Sequence, residues 1–390
     1  MRLKKLNVEG FRSFKRLSWE PGDLNVVIGP NASGKSNLLN ALDLISALSA
    51  GRLNSWFVRQ GGIESLLWNR EYPGIEVSIN ANSISTLPRL YALTYLVEVN
   101  ASMHGFYSID REELVGSYKG KLHKQLVRNT GSPRVEVVND READIVSVID
   151  AVAYNESALS QLGGPTLQNR AVNGMRADLA NMAIYSTLRT DGTSPIRQAF
   201  VTRHDDVVAR DGENFPSVLH TLYAGDRDFK RVVNDALSAA FDDFEELIFA
   251  PSASQRTEMR IRWKTSRFEP SATDLSDGTL RFLYLLAVLA NPNSPPVIAI
   301  DEPETGLHPS MVSIVAGLCA EAALRTQVIV TTHSDEFLSA MGEYSPTVSV
   351  THWENGETMI KVVDRDELAY WRKEYSLGSL YRSGQLEQMA

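Results

Sequence analysis

One stretch near the start constrains the fold more than any other feature: Gly29-Pro30-Asn31-Ala32-Ser33-Gly34-Lys35-Ser36, a full G-x-x-x-x-G-K-[ST] pattern. It follows the apolar run Leu24-Asn25-Val26-Val27-Ile28. It opens a segment, residues 35–49, in which Leu38, Leu42, Ile45 and Leu48 recur at helical spacing before Gly51 stops the helix. Strand, glycine loop and helix in that order require a sheet with helices packed on it. Glycines let the backbone curl until successive N–H groups converge on an anion, and the helix N-terminus adds partial positive charge. The pattern therefore predicts a phosphate cradle from Gly29 to Asn37. Lys35 would reach the β- and γ-phosphates of a bound nucleotide, and Ser36 would ligate Mg²⁺.

The composition is that of a chain able to fill a core: of 390 residues, 43% are hydrophobic and 22% charged. At roughly 150 residues per domain the length suggests two or three lobes. A single cysteine, Cys319, excludes an internal disulfide and a Cys-based zinc site. The longest apolar stretch, Phe282 to Ala290, is far below the ~18 residues that span a membrane. The opening MRLKKLNVEGFRSF has no apolar signal region, so a cytoplasmic location without membrane contact is expected. Lys plus Arg is 39 against 48 Asp plus Glu, a net charge of −9, which speaks weakly against coating nucleic acid by charge alone.

Residues 1–28 read as two or three short strands. Runs at 75–79, 91–99 and 106–109 alternate as antiparallel strands with one wet face, and 117–175 is polar without a clear period. Residues 216–248 read as helical and 257–264 as a strand. From 275 to 334 the order is helix (280–290), turn (291–296), buried strand (297–300), helix (309–324) and buried strand (328–331). Continuous apolar strands joined through a helix indicate a parallel sheet covered on both faces. Heptads and internal repeats are not visible.

Further candidates for chemistry lie in this block. The strand Val297-Ile298-Ala299-Ile300 ends in Asp301 and Glu302, adjacent acids whose side chains alternate and so suit different roles. Asp301 fits a Mg²⁺ partner of Ser36, and Glu302 fits the group that polarises an attacking water. Leu275-Ser276-Asp277-Gly278-Thr279 stands at a helix entrance, a second anion site or an ordinary cap. Val330-Thr331-Thr332-His333-Ser334 ends a strand in an imidazole beside hydroxyls. His308 reads as a turn residue.

These blocks, in this order, resemble the ABC-type ATPases of the SMC/RecF/OLD branch. GPNASGKS resembles the Walker A motif, LSDGT the signature, VIAIDEP the Walker B, ETGLHP the D-loop and TTHS the switch-histidine loop. Val8-Glu9-Gly10-Phe11-Arg12-Ser13-Phe14 is similar to the branch's first strand. Tyr375 to Gly384 is similar to the tail of a bacterial group labelled "predicted ATPase, AAA family", whose members are often encoded beside phage-defence or toxin partners.

The resemblance implies an α/β ABC-ATPase head, a mostly parallel P-loop sheet with an antiparallel β subdomain. The head would be built from 1–70 and 250–350, with an α+β insertion at 71–249 and a C-terminal appendage at 351–390. It implies a head-to-tail homodimer closed around two ATP molecules. Ser276 and Gly278 would contact the γ-phosphate in trans and His333 would act in cis. Gln60 would join Mg²⁺, and Arg12 would touch phosphate or nucleotide. Two departures stand out. Asp277 and Thr279 replace the usual Gly and Gln of transporters, and an acid there should weaken the anion site unless it points away or caps the helix. Ala32 replaces a frequent glycine, a mild change if its φ is negative.

Long coiled-coil arms are not expected, and residues 334–390 are too short for a TOPRIM nuclease domain, so nuclease or toxin activity is expected from another chain. Three readings stay open. One is an ATPase that dimerises on ATP and switches a separate effector, in anti-phage defence or toxin control. Another is a RecF-like DNA clamp using Arg111, Lys119, Lys121, Lys124 and Arg128. The third, suggested by Asp277, is an ATP sensor that does not hydrolyse.

Overall fold

The computed structural model describes the chain apart from residues 71, 88–90, 103–104, 119–120, 130–131, 133, 139–145, 151, 163–168, 187 and 390. Two compact units divide it: residues 1–182 with 347–365, and residues 183–346 with 366–388.

The first unit carries an antiparallel sheet. Its strand order is Phe14–Trp19, Arg2–Phe11, Gly74–Asn82, Ala92–Ala101, Tyr107–Tyr118, Lys121–Arg128, Val135–Val138 and Val146–Ile149. Period-two patterning sets the register. Val77 faces Val97 and Ile79 faces Tyr95, all fully buried. In Arg2–Phe11 a bulge between Leu3 and Lys5 shifts the phase, so Leu3 and then Leu6 and Val8 turn inward. Elsewhere along these strands Arg16, Glu9, Glu76, Glu98 and Arg111 stand opposite one another in turn, a row of three acids ended by arginines.

The same unit holds the apolar strand Leu24–Ile28, parallel to Thr347–Glu354, which in turn pairs antiparallel with Glu357–Val362. The helix Lys35–Ser49 follows the glycine loop as expected. Leu38, Leu42, Ile45 and Leu48 are at most 1% exposed, and each contributes roughly 1.5–3 kcal/mol by its burial.

In the second unit the strands Ala183–Tyr185, Val297–Asp301 and Gln327–Thr331 are parallel and adjacent in that order. The helices Asp277–Leu289 and Pro309–Ala323 lie in sequence on either side of Val297–Asp301. A smaller antiparallel sheet joins Phe200–Val201, Arg256–Trp263 and Phe244–Ser252. The helix Leu377–Arg382 docks on Asp335–Gly342 so closely that a Cβ on Gly378 would lie 2.0 Å from the Asp335 carbonyl oxygen.

Several elements differ from the sequence reading. Residues 216–248 are not helical throughout. Asp226 accepts from Phe229 N (2.8 Å) to cap a second helix, Arg227–Ala240, and Phe244–Ser252 is a strand because it finds Arg256–Trp263 as its partner. The described part of the polar stretch 117–175 also has order: the strands Lys121–Arg128, Val135–Val138 and Val146–Ile149 of the first sheet, the helix Ala158–Leu162, and the helix Arg170–Ala180 capped by Asn169. Residues 71–182 join the first strands rather than a separate body, because Gly74–Asn82 pairs directly with Arg2–Phe11. The C-terminal stretch likewise is shared out: its strands pair beside Leu24–Ile28, and the helix Leu377–Arg382 packs on Asp335–Gly342.

Candidate functional site

The loop Gly29–Ser36 is curled as the pattern demands. Gly29 has φ 148° and Gly34 φ 103°, and the turn closes through Ser33 N to Pro30 O (3.2 Å). Gly34 caps the helix Lys35–Ser49 with no side-chain oxygen, and its first turn carries no acid, so the positive end of the helix faces the loop unblocked. Lys35 is 6% exposed, and its Nζ donates to Gly29 O (2.7 Å) and Pro30 O (3.0 Å), an ammonium folded against the loop it serves. Ser36 is exposed at the second helical position; Asn31 and Ala32 are exposed at the loop tip. Ala32 has φ 65°, not the negative value that would make its replacement of glycine mild, so it is strained where a glycine would not be.

No motif marks what braces this loop. The C-terminal hairpin does. Thr351 Oγ1 lies 2.6 Å from Ser33 Oγ and donates to Ile28 O (3.1 Å). Thr358 donates to Ser13 through both its N–H (2.8 Å, to O) and its hydroxyl (2.8 Å, to Oγ), and Asn37 Nδ2 also donates to Ser13 Oγ (2.8 Å). A Cβ at Gly29 would stand 2.3 Å from Thr351 O, and one at Gly34 would stand 2.4 Å from Thr358 Oγ1. The hairpin behind the loop thus requires these glycines independently of anything bound in front of it.

Arg12 and Gln60, 48 residues apart, meet: Arg12 Nη2 donates to Gln60 Oε1 at 2.5 Å. Arg12 is held by its backbone, φ 51° with N–H to Leu66 O (2.6 Å), and burial lowers its guanidinium's pKa. Gln60 ends the helix Leu53–Arg59, so its side-chain oxygen is committed at least in part to Arg12.

In the second unit three consecutive residues, from the last of the strand Gln327–Thr331 onward, each hold one acid at or just beyond the tip of the neighbouring strand Val297–Asp301. Thr331 Oγ1 donates to Asp301, Thr332 Oγ1 donates to Glu304, and His333 Nδ1 sits 2.8 Å from Glu302 Oε1. Glu302 has φ 47° and donates its N–H to Thr331 O (3.2 Å), so the chain turns sharply where its carboxylate meets the imidazole. His333 is half-exposed and Glu302 about one-third exposed, a pair open to a ligand. A cavity of about 30 Å³, room for one water, is lined by Asp301, Glu302, Arg281, Tyr284 and Thr305 among others. His308 caps the helix Pro309–Ala323, its Nδ1 accepting from Ser310 N (3.3 Å), the turn role expected of it.

At the signature, Ser276 Oγ caps the helix Asp277–Leu289 by accepting from Thr279 N (3.2 Å), and remains exposed. Gly278 is pressed against the turn after Glu304: a Cβ there would lie 2.7 Å from Gly306 O. Sequence reasoning missed Arg197. Its guanidinium reaches Thr190 O (2.8 Å), Ala272 O (3.0 Å), Thr273 O (3.3 Å), Leu275 O (2.7 Å) and Asp277 Oδ1 (2.6 Å). One side chain therefore shapes the loop before Ser276 and pairs the acid that seemed out of place. No motif marks it; a lone arginine 80 positions away carries no local signal.

The basic stretch does not form a patch of the expected composition. Arg128 is fully buried, donating to Glu156 O and Ala153 O (both 3.0 Å), and Arg111 pairs with Glu113 (3.1 Å). Lys121 and Lys124 are exposed, and Lys119 lies outside the described residues. No helix is long and apolar enough to cross a membrane, and no group of three metal-ligating side chains occurs, both among the described residues.

The fold, α/β with mixed sheets, is consistent with a P-loop ATPase, and comparison with known proteins bears on its branch. The family described as "AAA ATPase domain" matches residues 1–113, and that described as "AAA domain, putative AbiEii toxin, Type IV TA system" matches 168–339. The chromosome partition protein Smc of Mycolicibacterium paratuberculosis is 28% identical over 231 residues, 54% of this chain and 18% of that protein. The replication and repair protein RecF of Moorella thermoacetica is 48% identical over 46 residues, 11% of this chain and 12% of that one. YbjD, an uncharacterized Escherichia coli K12 protein, is 23% identical over 370 residues, 87% of this chain and 60% of that one. The chain thus spans less than two thirds of each of these relatives. A crystal structure of the Smc head bound to the C-winged helix domain of ScpA aligns over 95% of this chain and 100% of that one, with a TM-score of 0.59 and 17% identity. A Pyrococcus furiosus Smc head bound to the C-terminal domain of ScpA gives 0.56 and 15%, over 95% and 98%. Together the two ATPase-domain families and the SMC and RecF relatives, with the Smc-head fold, support an ABC-type P-loop ATPase of the SMC/RecF branch.

Proposed function

We propose that this protein binds ATP with Mg²⁺, pairs with a second copy on doing so, and hydrolyses the nucleotide to switch a separate protein partner. The observation that carries the hydrolytic reading is the Glu302–His333 contact at the tip of Val297–Asp301, 2.8 Å long and open to solvent. Ser36 and Asp301 offer hydroxyl and carboxylate oxygens, the hard donors Mg²⁺ prefers. That ion is usually held by one or two protein oxygens plus phosphates, so it needs no dedicated cage. When bound, it neutralises charge on the phosphate oxygens.

The chain's own residues would do the rest. The loop Gly29 to Asn37, through backbone N–H groups and the Lys35 ammonium, holds the phosphates, Glu302 orients the attacking water, and His333 holds Glu302 and reaches the γ-phosphate. Ser276 and Gly278 meet the γ-phosphate of the partner copy's nucleotide. Arg12 and Gln60, joined by their hydrogen bond, act as one unit on the nucleotide and Mg²⁺. Pairing of Asp277 with Arg197 removes the objection that an acid spoils the signature, and so favours turnover over a silent sensor. The partner reading draws on the ScpA-bound Smc heads and on the toxin-system description of the matching family; an anti-phage or toxin-control setting is its natural extension.

The test uses three proteins. Wild type should release phosphate from ATP. Lys35→Ala should lose nucleotide binding. Glu302→Gln should bind ATP, turn over at least roughly 100-fold more slowly and accumulate as a dimer by light scattering. Wild-type turnover in Glu302→Gln, or no nucleotide binding by the wild type, refutes the assignment.

A further inference from the structure

Glu304 is a carboxyl that the hydrolytic reading leaves without a task. It sits two residues beyond Glu302 and is largely buried. One oxygen accepts from Thr332 Oγ1, while Oε2 is buried with no hydrogen-bond partner among the described residues. Burial raises its pKa above the usual carboxylate range. A buried polar atom left unpaired costs free energy, so its retention calls for a return elsewhere. The return lies in what Thr332 does. Its oxygen accepts from Ser334 N (2.9 Å), which commits its proton to Glu304. Ser334 in turn caps the helix Asp335–Gly342 through Phe337 N (3.2 Å). His333 is the residue between. Its backbone is therefore pinned on one side by Thr331, bound to Asp301, and Thr332, anchored on Glu304, and on the other by Ser334, whose N–H binds the Thr332 hydroxyl.

We propose that Glu304 is a positioning residue: through Thr332 it fixes the loop that carries His333, and so keeps the imidazole on Glu302. The inference rests on the hydrolytic reading for its functional meaning, but the contact it predicts exists whether or not ATP is turned over.

Two readouts keep the two apart. The first is selective ¹⁵N labelling of histidine, with the His333 signal assigned from His333→Gln. Wild type should show His333 fixed as the tautomer with its proton on Nδ1, shared with Glu302. Glu304→Ala and Thr332→Val should relax it to the mixture of an unconstrained imidazole. Glu304→Gln, which keeps an acceptor oxygen, and Thr332→Ser, which keeps the donor, should retain the wild-type signal. The second readout is steady-state turnover. Glu304→Ala and Thr332→Val should lower kcat roughly tenfold or more with KM for ATP within about twofold, and the two conservative variants should restore it. An unchanged His333 signal in both Glu304→Ala and Thr332→Val overturns the proposal, and so does failure of Glu304→Gln and Thr332→Ser to rescue it. If the wild type shows no turnover while the His333 signals behave as stated, the hydrolytic reading fails and the positioning role stands.

Discussion

Replacing Arg197 by alanine should be the most damaging single change at the signature, and its cost can be built from the structure. Arg197 is 10% exposed and gives hydrogen bonds to four backbone carbonyls and one carboxylate. Three of those carbonyls belong to buried residues, Thr190, Ala272 and Leu275. Leaving each without its donor costs about 1 kcal/mol, a low figure chosen because water can enter once the guanidinium is gone. The fourth carbonyl, on exposed Thr273, adds little. Asp277 is 64% exposed, so its ion pair is screened and contributes roughly 0–1 kcal/mol. Its place in the first turn of Asp277–Leu289 also lets the helix dipole hold its charge without Arg197. The sum is about 3–4 kcal/mol, which for a body of this size lowers the melting temperature by roughly 6–16 °C. Thermal unfolding of Arg197→Ala and Asp277→Asn tests it. Asp277→Asn should cost under about 1 kcal/mol, because the carbonyls keep their donors. Arg197→Lys should fall close to alanine, since one ammonium cannot span five acceptors. If Arg197→Ala melts within about 2 °C of wild type, or Asp277→Asn costs as much as Arg197→Ala, the reasoning that Arg197 organises the loop is wrong.

Two further outcomes follow from strain and charge in the first unit. Ala32 in the left-handed region carries about 1–2 kcal/mol of strain, and glycine there adds back roughly 0.4–1 kcal/mol of unfolded-state entropy, so Ala32→Gly should stabilise by about 0.5–1 kcal/mol in urea unfolding; a net loss would refute the strain. The pKa of Glu76 is raised, first by burial and then by Glu9 and Glu98, so the folded protein binds its proton more tightly than the unfolded chain does. That penalty is absent below about pH 4 and grows as pH rises through the raised value, so Glu76→Gln should stabilise at pH 8 by roughly 0.2–1 kcal/mol and leave stability at low pH unchanged. An equal effect at both pH values would show that packing, not charge, is responsible.

Where the sequence was informative, the deciding physics is local. Gly29, Gly34 and the helix from Lys35 lie within a few residues of one another, and both strands after Leu275 are continuous apolar runs; backbone conformation and burial there follow from neighbours in the chain. The same locality makes Asp301, Glu302 and His333 recognisable at strand ends. What stayed hidden depends on residues brought together by folding. Thr351 and Thr358 brace a loop more than 300 positions earlier, Arg197 pairs across 80 positions, and Arg12 finds Gln60 across 48. Each is a single common side chain whose identity is meaningful only once its partner is known. Arg128 shows the converse error: in the sequence it belongs to a basic run, and in the fold it is a buried donor to Ala153 and Glu156.

This division has a mechanical consequence for the chemistry. The groups proposed to touch phosphate or water are few and short-range, so they can be written as motifs. Their precision is supplied by hydroxyls and guanidinium groups that make one to five hydrogen bonds each: Thr351 and Thr358 behind the glycine loop, Thr331 and Thr332 behind the acids, Arg197 behind Ser276. A hydrogen bond is worth about 1 kcal/mol net, whereas a misplacement of about 1 Å at a reacting group can cost roughly 100-fold in rate. Losing one such support should therefore cost the molecule little stability and much function wherever its bond count is low, as at Thr332. It should cost stability as well where the count is high, as at Arg197. The two sets of variants separate supports that only aim a catalytic group from one that also holds the fold around it.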